Sequence, residues 1–192
     1  MKTGARKFQF RFKYVFFGLL FSYILVCQSC MTMRMTPKET QSYFETSRVG
    51  FTSKTVAIQK HALHYVETGN PENPTLFFVH GSPGSWDAFK SYLTDSILLR
   101  KFRMVAVDRP GFGYSDFGTA QDLDSQSDLI EKLLVQIDNG KPVVLVGHSL
   151  GGPVIVKMAA DKPKSFAHLV VLAGSVDPRM ETAEVWRMVL KA

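Results

Sequence analysis

Cysteine is nearly missing from this 192-residue sequence: it occurs twice, at Cys27 and Cys30, and nowhere afterwards. A disulfide framework is thereby excluded for everything beyond residue 30. Metal-ligand patterns are missing as well. His61, His64 and His168 stand at no metal-binding spacing, and the chain carries no dinucleotide fingerprint and no P-loop. No metal and no organic cofactor is therefore expected. A basic face is also lacking. Of the net charge of +6, five units come from Lys2, Arg6, Lys7, Arg11 and Lys13, ahead of the first long apolar run. The remainder is nearly neutral, so nucleic acid is not an expected partner. With 14 Gly and 9 Pro the chain is not biased toward disorder, and no repeat interrupts it. The length suits one domain with a sizeable core.

What the N-terminus does have is a targeting pattern. The basic stretch leads into a mostly apolar run of 14 residues, Tyr14 to Cys27. As a helix this run would span roughly 21 Å, against a bilayer core of about 30 Å. That length suits the h-region of a signal peptide, while extension to Met31 or Met33 keeps a single-pass anchor open. Ser29-Cys30 resembles the end of a bacterial lipoprotein signal, where a cysteine just after the h-region becomes the lipidated N-terminus. Cys27 stands where that pattern usually has leucine. The resemblance implies lipidation at Cys30, and a diacylated, N-acylated cysteine anchors stably. A plain signal peptide with incidental cysteines is the alternative. The expected organisation is a targeting segment over 1–30, a polar, irregular tether over 31–50 and a folded domain over 51–192. The expected location is extracytoplasmic, in the cell envelope, with membrane contact through the N-terminal anchor.

Beyond residue 50 the chain alternates strand and helix. Thr55–Ile58 and Leu63–Val66 read as an opening hairpin. Thr75–Val79 is an apolar run typical of a strand buried on both faces, and Phe102–Val107, Pro142–Val146 and Leu169–Ala173 read as the strands that follow it. Between them lie helical patterns: Trp86, Phe89 and Leu93 behind a capping Ser85, then Leu129 to Ile137, then a helix from the glycines after Ser149 to about Asp161, ahead of Pro163. Glu181 to Lys191 is amphipathic and reads as a further helix. This order predicts an α/β fold with a mostly parallel sheet and helices on both faces. Ligands in such sheets bind beyond the carboxyl ends of the strands. His80, Asp108 and Ser149 all stand at those ends, which puts their loops on one rim.

Gly147-His148-Ser149-Leu150-Gly151-Gly152 is the most informative stretch. A strand, a sharp turn carrying one serine and a helix make the G-x-S-x-G nucleophile elbow. Strand and helix come so close there that a Cβ at 147 or 151 would collide. His80-Gly81-Ser82-Pro83-Gly84 follows an earlier strand, and Asp108-Arg109-Pro110-Gly111-Phe112-Gly113-Tyr114-Ser115 lies between the two. With these three motifs in this order, Thr55 to Val176 resembles the N-terminal part of an α/β-hydrolase fold enzyme. His-Gly-Ser-Pro-Gly also resembles the His-Gly-Gly-Pro-Gly of proline iminopeptidases, with Ser82 replacing glycine.

The resemblance implies roles. Ser149 would be the nucleophile, forming an acyl-enzyme with a small-molecule acyl substrate. The backbone N–H groups of Ser82 and Leu150 would form the oxyanion hole. His80 would buttress the oxyanion loop, Asp108 and Arg109 would fix the loop after their strand, and His148 would pack beside the site. A serine nucleophile implies esters, thioesters, lactones, amides or carbon–carbon bonds beside a carbonyl. An aspartate there would imply epoxide or haloalkane hydrolysis.

The triad order of this fold is Ser, acid, His. Asp177, just after the Leu169–Ala173 strand, matches an acid position used by some members. No histidine follows it, and His168 precedes the strand. The last strands and most of the cap are thus expected to be absent, with Glu181–Lys191 opening that cap and Leu169–Ala173 left as an apolar edge. Two functional readings stand side by side: a serine hydrolase represented by its N-terminal part, and a catalytically incompetent or non-catalytic α/β-hydrolase-like chain.

Overall fold

Thr75-Leu76-Phe77-Phe78-Val79 has no polar face to offer solvent, and the computed structural model buries every residue of it as strand β3 (Thr75–Val79). The structure describes residues 14–23, 34–117, 121–177 and 179. Strands β1 (Phe51–Ile58), β2 (His61–Gly69), β3, β4 (Arg103–Val107), β5 (Val143–His148) and β6 (His168–Leu172) form one sheet in the order β1-β2-β4-β3-β5-β6. The β1/β2 and β2/β4 pairings are antiparallel; β4/β3, β3/β5 and β5/β6 are parallel. The α/β architecture read from the sequence is the one observed. The opening hairpin is longer than its apolar residues suggest, because polar residues on β1 extend it into solvent.

Alternation along the strands sorts the core into two layers. Phe77, Val79, Val105, Val107 and Leu145 pack under α5 (Leu123–Gln136) and α6 (Gly151–Asp161), through Leu129, Ile130, Leu133, Val154, Ile155 and Met158. Leu76, Phe78, Met104, Ala106 and Val146 face the opposite way. There they meet Trp86 and Phe89 of a 3-10 turn (Trp86–Phe89), Leu93 of α3 (Lys90–Leu93), and Leu98 and Leu99 of α4 (Ser96–Lys101). The expected burial of Trp86, Phe89 and Leu93 holds, but Ser85 is not a cap. Its Oγ donates to Asp87 Oδ1 (2.7 Å), and no backbone N–H is bound.

Residues 34–50 differ from the irregular tether expected over 31–50. They contain helix α2 (Pro37–Ser47), opened by a capping box in which Thr36 and Glu39 satisfy each other's backbone N–H. Phe44 of α2 is fully buried and stacks on Phe51 at 4.3 Å. Only Thr40 and Phe44 of this helix are buried, so no apolar stripe betrays it in the sequence. The compact unit accordingly begins at Arg34 rather than at residue 51.

Residues 14–23 belong to a separate unit, are helical (α1) and are exposed. Among the described residues, no helix is long and apolar enough to cross a membrane. Cys27, Cys30 and the helix expected over Glu181–Lys191 lie outside the described residues. At the sheet edge, Leu169, Val170 and Val171 of β6 are each about two-fifths exposed, as expected for an apolar edge strand.

Candidate active site at the carboxyl rim

Strand register sets the site. Val79 pairs with Val107 on one side and with Gly147 on the other, so β3, β4 and β5 end level. The loops opened by His80, Asp108 and Ser149 therefore share one rim, as the sequence predicts. Ser149 follows β5 at φ +50°, in the left-handed region that a non-glycine residue rarely adopts. The turn is held by Ser149 N–H donating to Leu172 O (3.0 Å) and Gly152 N–H donating to Ser149 O (2.9 Å).

The elbow glycines are needed for close approach. A Cβ on Gly147 would lie 2.5 Å from Gly151 O, and one on Gly151 would lie 2.1 Å from Val79 O. The loop after β3 comes close as well: a Cβ on Gly81 would sit 2.7 Å from Ser149 Cβ and 3.2 Å from its Oγ. Leu150, at the N-cap of α6, has one of the first-turn amides that lack an intrahelical acceptor.

Two buried side chains hold the carbonyl that precedes Ser82. Gly81 O accepts from His80 Nδ1 (2.7 Å) and from Arg109 Nη2 (3.0 Å). In a trans peptide the next N–H points opposite to that carbonyl, so the clamp on Gly81 O also fixes the direction of the Ser82 N–H. His80 Nε2 accepts the Arg109 backbone N–H (3.0 Å), which fixes the ring as the Nδ1–H tautomer. Arg109 also donates to Gln126 Oε1 (2.8 Å) and lies over the Phe112 ring. His80 braces its own loop, whereas Arg109, expected to fix the loop after its own strand, reaches across to the loop after β3.

Burial pushes the His80 imidazole down to about 4, and the neighbouring Arg109 cation adds to the effect. Burial likewise lowers the Arg109 guanidinium to about 10, still a cation at neutral pH. The folded chain therefore binds a proton at His80 less readily than the unfolded chain does. Stability carried by this residue is complete above about pH 6.5 and drains away as the pH falls toward 4, by about 3 kcal/mol. His80→Gln should lack that component. In urea titrations at pH 7 and pH 4, the stability advantage of the natural chain over the variant should shrink by about this amount. An unchanged difference would show that His80 is not held neutral.

Asp108 is fully buried and ties three segments together. Its Oδ1 accepts Trp86 N–H (2.6 Å); its Oδ2 accepts Tyr114 N–H (2.9 Å) and faces His64 Nδ1 at 2.7 Å. The sequence gives His64 no role, only the lack of a metal-binding spacing. The pairing of Tyr65 with Val107 brings it to Asp108, and no spacing in the sequence encodes that.

His168 pairs with Val144 at the start of β6, whereas His148 pairs with Leu172 at its end, so His168 stands at the opposite end of the sheet. His148 is exposed. The Asp177 carboxylate holds Arg179 through Nε (2.9 Å), Nη2 (2.7 Å) and the backbone N–H (3.0 Å). Among the described residues, no ring nitrogen is hydrogen bonded to Ser149 and no metal-binding cluster occurs.

A family profile described as the alpha/beta hydrolase fold matches residues 74–192. The chain belongs to this family. It is 30% identical over 124 residues to epoxide hydrolase 1 of Caenorhabditis elegans, covering 63% of this chain and 30% of that protein. It is also 30% identical over 125 residues to the pimeloyl-[acyl-carrier protein] methyl ester esterase of Vibrio campbellii, covering 65% of this chain and 45% of that one. The crystal structure of Cfl2 from Burkholderia cenocepacia superposes with a TM-score of 0.65 at 28% identity, covering 73% of this chain and 50% of that chain. The chain thus spans less than half the length of these two curated relatives.

Proposed function

We propose that Ser149 is the nucleophile of an acyl-transfer hydrolase whose substrate is a small ester or related acyl compound. Ser149 Oγ would attack the acyl carbon, and the developing oxyanion would be met by the N–H groups of Ser82 and Leu150. Such donors are each worth about 3–4 kcal/mol to the transition state. The observation that carries this reading is the approach of Gly81 to Ser149, with Gly81 O clamped from behind. A serine rather than an aspartate at the elbow favours acyl chemistry over epoxide opening. The relative named as a methyl ester esterase agrees with that choice. Asp177 is the acid position in this reading. The N-terminal segment acts as the targeting segment that anchors the chain at the cell envelope through Cys30; the mass of the mature N-terminus distinguishes Cys30, Cys27 and an uncleaved chain.

One observation favours the second reading, a non-catalytic chain: no described histidine takes the Ser149 proton. The two are separated by labelling with an alkyl fluorophosphonate, with and without imidazole as a dissolved proton acceptor. The hydrolase reading expects an adduct on the tryptic peptide Leu133–Lys157, formed about 10³-fold faster than at an ordinary exposed serine once imidazole is present. Ser149 labelling no faster than other exposed serines under both conditions would establish the non-catalytic reading.

A further inference from the structure

Among the described residues, one histidine is hydrogen bonded to a serine hydroxyl, and it is not at the elbow. Ser53 Oγ lies 2.8 Å from His64 Nε2, and His64 Nδ1 lies 2.7 Å from Asp108 Oδ2. The sheet builds this line of groups. Pairing of Thr55 with His64 and of Ser53 with Val66 puts Ser53, Thr55 and His64 on one face. The β2/β4 register then sets His64 beside Asp108.

Hydrogen positions follow from the partners. The Asp108 carboxylate already accepts Trp86 N–H and Tyr114 N–H, so it accepts from His64 as well, and Nδ1 carries the proton. In the neutral ring Nε2 then accepts the Ser53 hydroxyl. This is the donor order that activates a serine. His64 and Asp108 are buried, whereas Ser53 is exposed. The β1/β2 ladder runs through eight residue pairs and has no need of the Ser53 hydroxyl. That hydroxyl opens on a pocket of about 380 Å³, which Phe51, Thr55, Trp86 and Tyr114 also line.

We propose that Ser53 is a second nucleophile of this protein, activated by His64 and Asp108, which takes the acyl group of a small ester with an apolar or aromatic body. Ser53 Oγ bonds to the carbonyl carbon while its proton passes to His64 Nε2. The ester C–O bond breaks and the leaving oxygen takes that proton. Water repeats the sequence, releasing the acid and restoring the serine. The Thr55 hydroxyl is a side-chain donor in the same pocket for the carbonyl oxygen, and the aromatic walls hold the body of the ester.

An aryl fluorophosphonate serves as the probe, applied to the full chain and to Ser149→Ala, with peptide mapping. The Ser53 adduct falls on Val49–Lys54 and a Ser149 adduct on Leu133–Lys157, so the two sites succeed or fail independently. The expected result is an adduct on Ser53 in both proteins, absent from Ser53→Ala and formed about 100-fold more slowly in His64→Gln. Unfolding in urea breaks the relay without any substitution and should slow Ser53 labelling by a similar factor. Absence of an adduct on Val49–Lys54 in the folded Ser149→Ala protein would overturn the proposal. Equal labelling rates at Ser53 in native and urea-unfolded chains would overturn it too.

Discussion

Replacing Asp108 by alanine is expected to lower the unfolding free energy by about 3–5 kcal/mol, read as a fall in the urea midpoint at unchanged slope. The loss is large because the carboxylate serves three donors from three segments: Trp86 N–H, Tyr114 N–H and His64 Nδ1–H. Alanine leaves two backbone amides and an imidazole nitrogen without partners in a fully buried place. Each such orphan costs about 1–3 kcal/mol. Domains of this size are stable by only about 5–15 kcal/mol, so the variant would be marginal at room temperature.

Asp108→Asn sharpens the test. An asparagine keeps the shape but offers one acceptor oxygen and one donor nitrogen. If the oxygen faces Trp86, the amide nitrogen confronts both Tyr114 N–H and His64 Nδ1–H. A change of His64 tautomer relieves one of these conflicts but not the other. Asparagine should therefore recover only part of the lost stability. Full recovery would mean that the carboxylate charge and its acceptor count are immaterial.

The parts of this molecule that were legible in the sequence are those where one residue type has one physical use. Gly147, Ser149 and Gly151 announced the elbow because no Cβ fits where the glycines stand. Phe77 and Phe78 announced a doubly covered strand because neither face of β3 tolerates polarity. The shared rim followed from strand ends alone. Helix α2 stayed hidden because it buries only Thr40 and Phe44, and its capping box lies among polar residues that suit a loop equally well. The Ser53–His64–Asp108 line stayed hidden for a different reason. It joins positions 11 and 44 residues apart through two antiparallel registers, and register is a property of the sheet, not of any segment. The roles of His80 and Arg109 lay between these cases. The position of His80 suggested a buttress and that of Arg109 a brace for its own loop, but their shared acceptor, Gly81 O, is a product of the folded rim.

Ser149→Gly is expected to abolish probe labelling of Leu133–Lys157, a loss of about 10⁴-fold or more, without destabilising the fold. Ser149 holds φ +50°, which costs a non-glycine residue about 1–3 kcal/mol. Glycine removes that strain and adds about 0.5–1 kcal/mol of chain entropy to the unfolded state, so the net change is near zero or stabilising. Ser149→Ala loses the same hydroxyl but keeps the strained backbone. Glycine should therefore exceed alanine in stability by about 1 kcal/mol at this position, the reverse of their usual order within regular structure. The comparison is direct, since both variants lose the nucleophile and differ only in the Cβ that faces Gly81. Equal stabilities, or an advantage for alanine, would show that the elbow carries no strain. Matching labelling losses with glycine ahead in stability would show that the backbone conformation is kept for the hydroxyl it presents, at a cost the fold bears elsewhere.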